Sequence, residues 1–147
     1  MIYSIAFKIH IYLSTVTLLA GITTVVLSIH GWSAKRAFNR FDSQAPLLFN
    51  IGLYFQLILG FLIYFTLRTS LEGPVWEVPD TENDASLRFW AIEHIALMIL
   101  ALFLTQLGRI FIKRSKASLI KFKASLFYNG ISLLLILFSL SIALIFR

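Results

Sequence analysis

Four apolar stretches organise the chain: about Tyr3–Ile29, Pro46–Leu67, Leu87–Ile112 and Ala124–Phe146. Each reaches the roughly 20 mostly apolar residues that carry a helix across about 30 Å of hydrocarbon. Charged residues gather between them and at their ends. The pattern predicts an all-α fold, an integral membrane four-helix bundle running up-down-up-down, with helices over about 3–29, 46–67, 87–112 and 124–146. Together the stretches use most of the 147 residues, which leaves a single transmembrane domain, 1–147. The first run is too long for the core of a signal peptide, and no small-residue cleavage site follows it. It is expected to be retained as the first helix.

Inside the runs, small and polar residues recur at helical spacing. The first helix reads His10, Ser14, Thr17, Gly21, Thr24 and Ser28. Steps of three and four hold these residues on one face. The second offers Gly52, Gln56 and Gly60, and the third His94, Met98, Ala101, Thr105 and Gly108. The fourth carries Ser125, Asn129, Ser132, Ile136, Ser139 and Ala143. In lipid, small residues let helices approach and polar ones bond across the seam, so the four stripes are expected to face inward. Packing alone accounts for such stripes, and a cofactor slot is the functional alternative.

The connections fit this plan. Gly31-Trp32-Ser33 breaks the chain after the first helix with an interfacial tryptophan, and Ala34–Phe41 allows a short amphipathic turn. Pro46 suits the first turn of the second helix. Gly73-Pro74 and Pro79 make the segment from Arg68 to Ser86 irregular. Asp84 or Ser86 is placed to cap the third helix, and Phe89 and Trp90 to join an outer aromatic belt. The short connection to the fourth helix makes helices three and four antiparallel neighbours.

Charge placement orients the bundle. The chain carries a formal charge of +6. Lys35, Arg36 and Arg40 sit in the first connection, and Lys113, Arg114, Lys116, Lys121 and Lys123 in the third, beside Arg109. The middle connection holds Glu72, Glu77, Asp80, Glu82 and Asp84. The positive-inside rule then makes the first and third loops cytoplasmic, the second periplasmic, and both termini outside. The setting implied is a bacterial inner (cytoplasmic) membrane. Basic residues at helix ends serve this orientation and attract anionic headgroups; they do not point to nucleic acid. The absence of cysteine excludes disulfide chemistry, covalent haem attachment and thiolate-held iron–sulfur clusters. Nothing supports hydrolysis: there is no Ser/His/Asp set, no paired intramembrane carboxylates and no glycine-rich phosphate loop. No broken helix marks a transporter site.

Two histidines carry the candidate chemistry. His10 and His94 each lie about seven residues into an inward-running helix, on the order of 10 Å below the outer surface. A histidine in hydrocarbon is costly and usually has a partner or a task. A diagonal between helices of a bundle is roughly 11–14 Å, about the span across which two imidazoles meet one iron. Together they suggest axial ligands for haem b, with Lys8 and Arg88 placed to meet propionates. Bis-histidine ligation leaves no open position and suits electron transfer. Gly21 and Ala101 are candidates to make room for a ring, at greater depth. The plain alternative is that each histidine is neutral and hydrogen-bonded, His10 to Ser14 and His94 across the bundle. Gln56 and Gln106 are placed to bond each other, Glu93 to pair with Arg88, and Met98 to pack. His30, at the inner end of the first helix, is incidental to this set.

The segment Arg88-Phe89-Trp90-Ala91-Ile92-Glu93-His94, continuing through Met98 and Ala101 to Gly108-Arg109, resembles small four-helix cytochrome b-like membrane proteins of Bacteroidota. Their third helix reads R-F-W-x-x-E-H-x-x-x-M. His10 and the run Gln56-x-x-x-Gly60 also match, so the resemblance covers nearly the whole chain. It implies haem ligation by His10 and His94. One position departs: that pattern has histidine two residues before the glutamine, where this chain has Tyr54. The departure favours a copy that serves as a structural subunit. Two functions are therefore expected as alternatives: a cytochrome b-like electron carrier, or a non-catalytic accessory subunit of a larger membrane protein complex. Fourteen phenylalanines and the lack of a soluble domain suit the second, since they leave mainly lateral surface.

Overall fold

A computed structural model describes residues 2–64 and 92–145. They form four helices: α1 (Ile2–Ser33), α2 (Arg40–Phe61), α3 (His94–Arg114) and α4 (Ser118–Ile145). No strand occurs among the described residues. All four helices are long and apolar enough to cross a membrane. The protein is an all-α, multi-pass membrane bundle. Its outward faces are lined by side chains such as Val16, Phe55, Phe103 and Leu134, as lipid requires. Arg88, Trp76, Asp84, Ser86, Phe89, Trp90 and the acidic connection lie outside the described residues.

Neighbours in sequence are neighbours in space, and α1 closes the ring against α4. Helices α1 and α3 are therefore diagonal, as are α2 and α4. Each seam carries a polar bond. Gln56 donates to Ser14 Oγ at 2.7 Å (α2 to α1), and Asn50 to Thr105 Oγ1 at 2.8 Å (α2 to α3). Ser132 donates to the Ala101 carbonyl at 2.9 Å (α4 to α3), and Ser28 to Ser125 at 2.8 Å (α1 to α4). These bonds come from the predicted stripes, except for Asn50. Without a hydrophobic drive between helices in lipid, such bonds and close packing hold the bundle. Between them sits an apolar core of Phe49, Leu53, Ala101, Leu102 and Ile136. Met98 packs against that core. Gly52 lets α2 come close to Thr17, whose Oγ1 would lie 2.5 Å from an added Cβ.

The first connection is more ordered than the sequence suggests. α1 ends in a Schellman motif: Arg36 N–H bonds the Gly31 carbonyl at 3.3 Å and Lys35 N–H that of Trp32 at 3.2 Å. Lys35 holds the left-handed position with φ of 48°, where glycine is usual. Asn39 then caps α2 in a reciprocal capping box with Asp42. That cap starts the helix at Arg40, so Pro46 lies inside it and not in the first turn. Arg36 forks onto both oxygens of Asp42 at 2.6 Å. Those hydrogen bonds hold the Arg36 proton more firmly than water does, raising its pKa. The Arg36 guanidinium also lies 5.0 Å from the centre of the Phe122 ring, which Phe38 flanks. Phe122 packs onto Gly31, where any side chain would collide with the ring.

Candidate functional site

His10 and His94 stand on the diagonal helices, toward the end of the bundle opposite the basic loops. Both rings are half-buried. Their depth follows from the bonds that fix the register. Asn50 and Thr105 mark one level of α2 and α3. Ten residues beyond Asn50 lies Gly60, whose Cα faces His10, and eleven beyond Thr105 lies His94. By this route the two histidines are level to within about one residue, ~1.5 Å. The Ser28–Ser125 bond gives a second route. There His10 lies eighteen residues out along α1, and Ser139, the partner of His94, fourteen along α4. By this route His94 sits about four residues deeper, ~6 Å. The two routes bracket the offset in depth between the histidines.

The surroundings of the two imidazoles differ. His94 Nδ1 is 2.8 Å from Ser139 Oγ, and that serine is 1% exposed. With the proton on Nδ1 donated to serine, Nε2 is the acceptor nitrogen of the ring, the one that carries a lone pair. His10 Nδ1 is buried and has no hydrogen-bond partner. The expected bond from His10 to Ser14 is absent; Gln56 donates instead to the Ser14 hydroxyl and to the His10 carbonyl, at 2.7 and 3.0 Å. Gln56 thereby bonds α1 and not Gln106. Its amide fixes the backbone that carries His10. Gly60 borders the His10 ring, with Cε1 3.6 Å from where a Cβ would be. Gly21 and Ala101 make no room for a ring: Gly21 is filled by Phe49, and Ala101 is fully buried in the core.

Lys8 is exposed, and Arg88 lies outside the described residues. Tyr54 is 43% exposed on the outer surface of α2, so a side chain at this position faces lipid and not the two rings. Among the described residues, no three His, Asp or Glu side chains gather as a bare metal ion would require. Two imidazoles from opposite helices suit a macrocycle, which brings its own in-plane donors. Among the described residues this end of the bundle offers two imidazoles on diagonal helices, an orphaned His10 nitrogen and a glycine beside it.

A second polar centre was less legible. Asn50 is fully buried; it donates to Thr105 and accepts from Arg109 Nη1 at 3.0 Å. Arg109 belongs to the interior of α3 as much as to the basic loop. Asn129 is fully buried too, and its Oδ1 has no partner. An amide in the middle of an apolar run is the sequence signal for such a centre. Comparisons of the chain with family models, with curated proteins and with solved structures give no match.

Proposed function

We propose that this protein is a cytochrome b-like carrier of the bacterial inner membrane, with His10 and His94 as the axial ligands of one haem b. The observation that carries the reading is the pair of half-buried imidazoles on diagonal helices at the same end of the bundle, one with an unpartnered buried nitrogen. His10 and His94 would hold the haem, which would supply a one-electron couple suited to electron transfer. The chain's own residues set the ligands. Ser139 holds the His94 ring, Gln56 fixes the backbone under His10, and the Phe49–Ile136 core closes the bundle below. Arg88 and Lys8 are assigned to the propionates. The basic loops face the cytoplasm, and both termini and the acidic connection face the periplasm.

The test is the absorption spectrum of protein purified from haem-replete cells. A Soret band that shifts on dithionite reduction and disappears in His94→Ala, with membrane insertion intact, supports the reading. A colourless wild-type preparation ends it. One observation favours a second reading, a non-catalytic accessory subunit: the Ser139 bond already satisfies His94 without iron. That reading requires a stoichiometric partner to copurify in mild detergent, and a clean monomer counts against it.

A further inference from the structure

The lipid-facing seam between α1 and α4 is cut by a groove of about 380 Å³, lined by Val25, Phe127, Gly130, Ile131 and Leu134 among others. Apart from the adjoining backbone of α4 and the two flanking residues, nothing lies within 4 Å of the point where a Gly130 Cβ would stand. The lining is almost wholly apolar. On α4, Leu134, Gly130, Phe127 and Lys123 succeed one another in steps of four, three and four, a single helical stripe. On α1, Val25, Ile29 and Trp32 form the facing stripe in the same direction. The two stripes converge at a charged end, where the Lys123 ammonium lies 5.8 Å from the Trp32 ring centre. Trp32 is 43% exposed. Gly130 and Lys123 are seven residues apart, about 10 Å along the helix. An apolar slot that ends in an exposed cation and an interfacial indole has the polarity of one lipid: chain first, anionic headgroup last.

We infer that this seam binds an anionic phospholipid, with one acyl chain over Gly130 and the phosphate at Lys123 and Trp32. Charge complementarity selects the headgroup, and the missing side chain at Gly130 admits the chain. The site is independent of the haem reading, since it lies on the outer face of a different helix pair.

Quenching of Trp32 tests it. The variant Trp76→Phe/Trp90→Phe leaves Trp32 as the sole tryptophan. In mixed vesicles, phosphatidylglycerol with brominated chains is expected to occupy the seam about fivefold better than brominated phosphatidylcholine, the effect of one lysine near an anionic headgroup. Lys123→Gln should remove that preference, Lys113→Gln on α3 should keep it, and Gly130→Leu should weaken occupancy by either lipid. Native mass spectrometry of the otherwise wild-type chain with and without Lys123→Gln repeats the comparison without touching a tryptophan. Equal quenching by the two lipids overturns the proposal, as does an equal loss from Lys113→Gln, which would reduce the effect to general surface charge. If Gly130→Leu leaves quenching unchanged but alters a monomer–dimer equilibrium, the groove belongs to a second copy and the proposal fails.

Discussion

Ser139 of α4 holds His94 of α3 by its Nδ1, 2.8 Å from the hydroxyl, while the buried Nδ1 of His10 on α1 has no such partner. One imidazole is oriented by its surroundings and the other is not. A metal-bound histidine is commonly held in this way by a group beyond the ligand shell.

Under the proposed ligation, removing the orienting hydroxyl affects haem before it affects the fold. Ser139→Ala is expected to weaken haem retention about 10- to 100-fold, the usual cost of losing such a partner. His94→Ala and His10→Ala should abolish the Soret band. Haem titration of detergent-solubilised apoprotein measures all three; a Ser139→Ala protein with wild-type affinity would show that the hydroxyl has no part in ligation.

Gly60 makes a graded test of the space at His10. An added Cβ would meet the ring at 3.6 Å, an ordinary contact, so Gly60→Ala should keep the spectrum. Gly60→Leu must push the ring aside, and loss of the reduced absorption band is expected with insertion unchanged. Identical spectra for Ala and Leu would place the His10 ring elsewhere.

The Asn50–Thr105 bond joins α2 to α3 in the buried interior. A double-mutant cycle with Asn50→Leu and Thr105→Val is expected to give a coupling of about 0.6–1.7 kcal/mol, the range for polar bonds between membrane helices. Unfolding in mixed micelles reads it. A coupling of zero would leave packing alone to set this seam.

Gly31 supports the Phe122 ring at the end of α1. Gly31→Ala is expected to destabilise by roughly 1–3 kcal/mol through overpacking, and Phe122→Leu should restore part of that loss. Thermal unfolding of the single and double variants decides the point, since simple loss of backbone freedom would not respond to position 122.

Sidedness is open to chemical labelling because the chain has no cysteine. A cysteine introduced at Lys116 should react with a membrane-impermeant maleimide only after the inner membrane is breached. Labelling of intact spheroplasts at this position would invert the assigned topology.

The sequence alone determined that the chain crosses the membrane as four helices. Length and hydropathy suffice for that, because each helix satisfies its own backbone in lipid wherever its neighbours lie. It also marked the inner faces, since the stripes of Ser28, Gln56, Thr105 and Ser132 do bond across seams. It misjudged the start of α2, because the Asn39–Asp42 cap acts locally and overrides the usual place of a proline. Tertiary structure decided the rest. Periodicity gives the face of a helix but not its neighbour, so only the packed bundle could make α1 and α3 diagonal. Only packing could assign Gln56 to α1, Ser139 to His94 and Gly60 to His10, because those pairings depend on relative depth between helices far apart in the chain.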